Sequence, residues 1–210
     1  ILEGWLLGQA GGSATADVLF GAVNPSGKLT ETIPVRLEDN PSYENFPGEL
    51  GHTRYGEGVF VGYRWYDNRG LDVAFPFGHG LSYTTFAYGD ATASVGADGD
   101  ITVGLTVTNT GGVAGREVVQ VYTSLADSTV RRPVRELKAF ASVALAAGQS
   151  REIVLTVRRE DLAYWHVAAQ RWVVEGGSYL VEVAASSRDL RSSASVTVEG
   201  DAVSLPLTRE

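Results

Sequence analysis

The chain has 210 residues, a net charge of −8, 44% hydrophobic and 20% charged residues, 25 Gly, no Cys and no Met. A chain of this size and apolar content can bury about 70% of the surface its unfolded form exposes, which excludes intrinsic disorder. The lack of sulfur excludes a disulfide scaffold, a cysteine–zinc site and a cysteine nucleophile. No run reaches the ~18 apolar residues of a membrane span, and 25 acidic against 17 basic residues make a surface that repels phosphate backbones. Neither a membrane nor a nucleic acid is therefore an expected partner.

Residues 1–36 read as a strand, a glycine turn and a short helix. The opening Ile1-Leu2-Glu3-Gly4-Trp5-Leu6-Leu7 is apolar and carries no basic leader region, so position 1 is expected to be a cut and localisation is left open. Gly8 to Gly12 form the turn, Ser13 is placed to cap a helix whose Ala14, Val18 and Leu19 share a face, and Gly21 ends it. A strand, tight turn and helix make half of a parallel βαβ unit, so this stretch is expected to be the remnant of an α/β domain.

Residues 37–90 read as a long ordered connection. Five of the seven prolines fall between Pro25 and Pro76, yet the stretch holds 12 of the 20 aromatic residues, too many for an unstructured linker. Its rings are expected to bury against the α/β domain.

Residues 91–200 alternate with period two. Ile101, Val103, Leu105 and Val107 point one way and Thr102, Thr106 and Thr108 the other, and Ile153, Leu155 and Val157 repeat the pattern. Further strands are expected at 117–124, 137–145, 172–175, 178–185 and 194–199, with one helical turn at 160–164. This is the pattern of an immunoglobulin-like or fibronectin type III-like β-sandwich. Residues 201–210 form a tail.

Local motifs for chemistry are sparse. Ala22-Val23-Asn24-Pro25-Ser26-Gly27-Lys28-Leu29 approaches a phosphate-binding loop, but Ala22 and Leu29 replace its Gly and Ser/Thr, and Pro25 removes a backbone donor. It reads as an Asn-Pro-Ser-Gly turn. His52, His79 and His166 are too far apart for a local metal site, His79 reads as structural, and Ser82 lacks the second Gly of a nucleophile elbow and reads as a turn residue. Glycoside hydrolysis needs only two carboxylates, and Glu57 and Asp67 flank an aromatic-rich segment on which a sugar could stack. The simpler reading has Glu57 paired with Arg64 or a backbone donor and the aromatics holding the connection to its domain. No cofactor or metal is expected.

At this point the order of motifs carries a resemblance. Trp5-Leu6-Leu7-Gly8-Gln9-Ala10-Gly11-Gly12 and Ala16 to Leu29 resemble the closing βα segment of the α/β sandwich domain in glycoside hydrolase family 3. Tyr55 to Tyr66 and Phe75 to Phe86 resemble the connection that follows it, and the remainder resembles the family's fibronectin type III-like C-terminal domain. The resemblance implies a retaining β-glucosidase whose aspartate nucleophile and glutamate acid/base precede residue 1. No catalytic residue is then assigned in this chain, and Tyr55, Glu57 and Arg64 are expected to lie near substrate. A β-glucoside or oligosaccharide would be met through the missing domains, on whose barrel and α/β layers this chain would pack. Two other readings stand beside it: a non-catalytic carbohydrate-binding sandwich, and one chain of a split glycosidase.

Overall fold

The computed structural model describes residues 1–203, so residues 204–210, most of the tail 201–210, lie outside the described residues. Helix α1 spans Gly11–Leu19 and helix α2 Tyr63–Arg69. The strands are β1 (Ile33–Pro34), β2 (Val73–Phe75), β3 (Phe86–Tyr88), β4 (Thr92–Val95), β5 (Ile101–Asn109) and β6 (Gly115–Leu125). They continue with β7 (Glu136–Leu145), β8 (Ser150–Val157), β9 (Tyr164–His166), β10 (Arg171–Val173), β11 (Gly177–Ser186) and β12 (Asp189–Val198). No helix among the described residues is long and apolar enough to cross a membrane.

Two antiparallel sheets form a fibronectin type III-like sandwich. One has the order β12-β11-β6-β7; in the other β5 pairs β3 and β4 along one edge and β8 along its opposite edge. The alternation seen in the sequence sets the facing. Ile101, Val103, Leu105 and Val107 meet Val119, Val121, Val181 and Val183 from the opposite sheet in one buried cluster, while Thr102, Thr106 and Thr108 are left outside. Because β3 pairs residue by residue with β5, the sheet starts inside the stretch read as connection. The strand expected at 194–199 begins earlier, at Asp189, where β12 pairs along the full length of β11.

The first ten residues form no strand, since a parallel strand needs a neighbour and the described residues offer none. Ser13 does not cap α1: the helix begins two residues earlier, and the Ser13 hydroxyl donates back to the Ala10 carbonyl at 2.9 Å. Gly21 follows the helix with φ of 77°.

The outer face of β6 and β11 is also buried, which ordinary strand alternation does not produce. Gln120, Tyr122, Glu182, Ala184 and Ser186 point away from the core and are nevertheless covered. The cover is the connection, which runs across this face. Gly78, with φ of 78°, lies so close to the Gln120 amide that any Cβ there would clash. Residues 24–27, expected as an Asn-Pro-Ser-Gly turn, form no hydrogen-bonded turn; the segment instead lies in the same seam, where Leu29 and the Gly78-His79 backbone exchange hydrogen bonds of 2.8 Å. Asn24 donates to the Ala114 carbonyl and accepts from Ser82 and the Tyr83 N–H. Lys28 pairs with Glu117 at 2.8 Å, with side chains only 14% and 8% exposed, so this lysine is spent on the fold. At the far end of the sandwich Glu175 accepts hydrogen bonds from Ser128, Thr129 and Arg132.

Candidate functional site

Helix α2 is the point at which the connection is anchored. Gly70 ends it in a left-handed conformation, φ of 63°, which glycine adopts at no steric cost. Tyr63 and Asp67, four residues apart on one face, both point at the sandwich. The Tyr63 ring stacks on Phe77 at 5.0 Å and meets Tyr122 edge-on at 5.9 Å, and its hydroxyl accepts the Leu137 N–H at 2.8 Å. Burial pushes the Tyr63 phenol above its ordinary range, so the ring stays neutral. The Asp67 carboxylate, 6% exposed, bridges Arg188 at 2.9 Å and Arg135 at 3.4 Å, and Arg135 reaches on to Glu182 at 3.1 Å. Tyr63 and Phe77, among the rings expected to bury against an α/β domain, thus pack on the sandwich, because its outer face offers a tyrosine, small residues and two guanidinium groups, while Tyr43, Phe46, Tyr55 and Tyr83 stay exposed.

This arrangement changes the reading of the two flanking carboxylates. Asp67 is fully occupied by arginines and cannot serve as one of a catalytic pair. Glu57 does not pair with Arg64: its Oε2 is buried with no partner, and the Arg64 Nε is likewise buried and unpartnered. The Arg64 guanidinium lies 5.9 Å from the Tyr63 ring centre. Tyr55 is 85% exposed.

A cleft of about 510 Å³ opens on the side of α2 turned away from the sandwich, lined by Glu57, Trp65, Arg69, Tyr43, Asn45 and Glu38 among others. The segment 37–46 forms one wall through consecutive tight turns: Asn40 Oδ1 accepts from the Ser42 N–H and hydroxyl, and the Asn45 and Phe46 N–H groups donate to the Ser42 carbonyl. Trp65 ties this wall to α2 by donating from Nε1 to the Asp39 carbonyl at 2.9 Å. The Arg69 guanidinium stacks over the Trp65 ring at 4.5 Å. Of the three residues expected near substrate, only Glu57 lines the cleft. Asn45 and Glu38 carry no motif that would have marked them; folding brings them to Trp65. Among the described residues no group of His, Asp or Glu is arranged to hold a metal ion. His79 rests its ring against Phe75 at 5.6 Å, and Ser82 serves its own turn by accepting the Thr84 N–H.

Two known domain families match the chain. The glycosyl hydrolase family 3 C-terminal domain matches residues 1–83, and the fibronectin type III-like domain matches residues 117–187. The chain is 51% identical over 209 residues to the exo-alpha-(1->6)-L-arabinopyranosidase of Bifidobacterium breve, covering 99% of this chain and 28% of that protein. It is 49% identical over 201 residues to thermostable beta-glucosidase B of Acetivibrio thermocellus, covering 94% of this chain and 27% of that protein. The crystal structure of a Bifidobacterium adolescentis GH3 beta-glucosidase superposes with a TM-score of 0.94 at 51% identity, over 98% of this chain and 30% of the other. That of beta-glucosidase 3B from Thermotoga neapolitana with glucose gives 0.88 at 43% identity, over 94% and 28%. The chain thus spans less than a third of the length of these relatives and corresponds to their C-terminal part.

Proposed function

The chain belongs to glycoside hydrolase family 3, and from that membership we propose that the protein carrying it is a retaining glycosidase releasing terminal non-reducing β-D-glucosyl residues. In this reading the chain is the scaffold: it fixes the sandwich and the connection against the rest of the enzyme and supplies neither nucleophile nor acid/base. The observation that carries the reading is the collinear match of almost the whole chain to beta-glucosidases, 49% identical over 94% of its length. The docking chemistry supports the scaffold role. Lys28–Glu117 ties the first stretch to the sandwich and Asp67–Arg188 ties the second, so all three stretches act as one body. Exposed Trp5, Leu6, Phe20 and Tyr55 face away from it and offer apolar area for packing on further layers. Tyr55, Glu57 and Arg64 belong on the substrate side of the connection.

The test is hydrolysis of an aryl β-D-glucoside by the protein with its upstream sequence and by this chain alone. Turnover is expected only from the former. Turnover by the chain alone would end the scaffold reading, and restoration by a separately encoded partner would identify a split enzyme. A second reading, an α-L-arabinopyranoside as preferred substrate, is favoured by the 51% identity to the Bifidobacterium breve arabinopyranosidase. The ratio of kcat/KM for the two aryl glycosides decides between them.

A further inference from the structure

The cleft beside α2 has the lining of a site for a neutral, hydroxyl-rich ring. Its volume of about 510 Å³ falls within the ~300–1,000 Å³ usual for small-molecule sites. Trp65 and Tyr43 bring aromatic surface to it, Asn45 and Arg69 bring donors, and Glu38, Glu44 and Glu57 bring acceptors. The Glu57 Oε2 is buried without a hydrogen-bond partner, and a buried carboxylate oxygen left unpaired is costly enough that a donor is called for. The mixed lining discriminates among ligands. An anion would meet three carboxylates, and a bare cation would leave the Asn45 amide and Arg69 guanidinium donors unused, whereas a polyol satisfies donors and acceptors together. The walls are already in place: Trp65 is held by its bond to the Asp39 carbonyl and by Arg69 stacked upon it, so little ordering remains to be done on binding.

We propose that this cleft binds a pyranose ring, with Glu57 accepting hydrogen bonds from its hydroxyls and Trp65 bordering its apolar face. The choice of a sugar rests on the glycosidase reading, whereas the existence of a polar–aromatic site rests on the cleft alone.

The experiment is a titration of the 210-residue chain with D-glucose and cellobiose, read at the indole N–H resonances, with methylguanidinium and inorganic phosphate as competing probes. Saturation with a Kd of about 1 mM is expected, confined to the Trp65 signal. Glu57→Gln, which removes the charged acceptor, should weaken binding about fivefold without lowering thermal stability. Asn45→Ala should weaken it in the same way. If the isolated chain gives no folded spectrum, hydroxyl-radical footprinting of the complete protein reads protection of Tyr43 and Trp65 by glucose. Absence of saturation or protection, or a response to methylguanidinium and not to glucose, overturns the proposal. A chain that binds glucose while the complete protein hydrolyses no glycoside leaves the site standing and removes the glycosidase reading. The converse result removes the site alone.

Discussion

Replacing Asp67 by Ala should separate the connection from the sandwich. The carboxylate is 6% exposed and is shared by Arg188 at 2.9 Å and Arg135 at 3.4 Å. Removing one partner of a buried ion pair costs about 3–5 kcal/mol, because the other charge is left without compensation. Here both arginines retain other acceptors: Arg135 keeps Glu182 and the Ser187 carbonyl, and Arg188 keeps the Leu71 carbonyl. Arg188 is also 31% exposed, so water compensates part of its loss, and a cost of about 2–3 kcal/mol follows. For a chain of this size that corresponds to a Tm lower by roughly 5–10 °C. Differential scanning calorimetry of the Asp67→Ala chain measures it, and limited proteolysis between residues 37 and 60 should accelerate in parallel. Asp67→Asn keeps an acceptor of the same shape and should lose about half as much. A loss below about 0.5 kcal/mol would put Asp67 among ordinary surface pairs and leave the docking to Tyr63 and to the close contact of Phe77 and Gly78 with β6 and β11.

Other buried contacts should respond in the same way. Lys28→Met leaves Glu117 buried without its cation and should cost about 3 kcal/mol in urea unfolding, while the double variant with Glu117→Leu should recover most of it. Tyr63→Phe strands the Leu137 N–H that the hydroxyl accepts, for a loss of about 1–3 kcal/mol by the same measurement, with no change in secondary structure by circular dichroism. Burial pushes the Glu175 carboxyl up, but hydrogen bonds from Ser128 and Thr129, with the Arg132 charge beside it, outweigh that and hold it below its ordinary value. Its contribution is then complete above the unfolded value of about 4.3 and fades as pH falls through the lower folded value. Glu175→Gln should flatten the acid limb of a Tm-against-pH curve, and an unchanged limb would show that other carboxylates, Asp201 foremost, carry it.

The sandwich was legible in the sequence because its determinant is local. A strand with one buried face writes period-two alternation into consecutive residues, as in β5, and each such strand can be recognised without knowing its neighbours. The glycine after α1 was legible for a similar reason, since the backbone conformation there depends on one residue; the turn expected at Asn24 to Gly27 was not formed, because Asn24 spends its side chain on Ala114, Ser82 and Tyr83 and not on its own turn. The α1 start differs from the expected one because Ser13 lies inside the first turn and spends its hydroxyl on the carbonyl of Ala10, the residue just before the helix, a competition that composition does not reveal. The family resemblance was readable because its motifs are runs of consecutive residues, which can be recognised without knowing what they touch.

What the connection packs on, and the cleft it forms, were decided only by the tertiary structure. The doubly buried β6 carries Gln120 and Tyr122 on the face that alternation assigns to solvent, and they are buried because a segment more than forty residues away lies across them. The Asp67 carboxylate meets arginines 68 and 121 residues further along the chain, and Trp65 reaches a carbonyl 26 residues before it. None of these residues carries a periodicity that would mark it. Their roles come from proximity created by folding, and a carboxylate such as Glu57 or Asp67 acquires its chemistry from the charges and apolar surface that the fold sets around it.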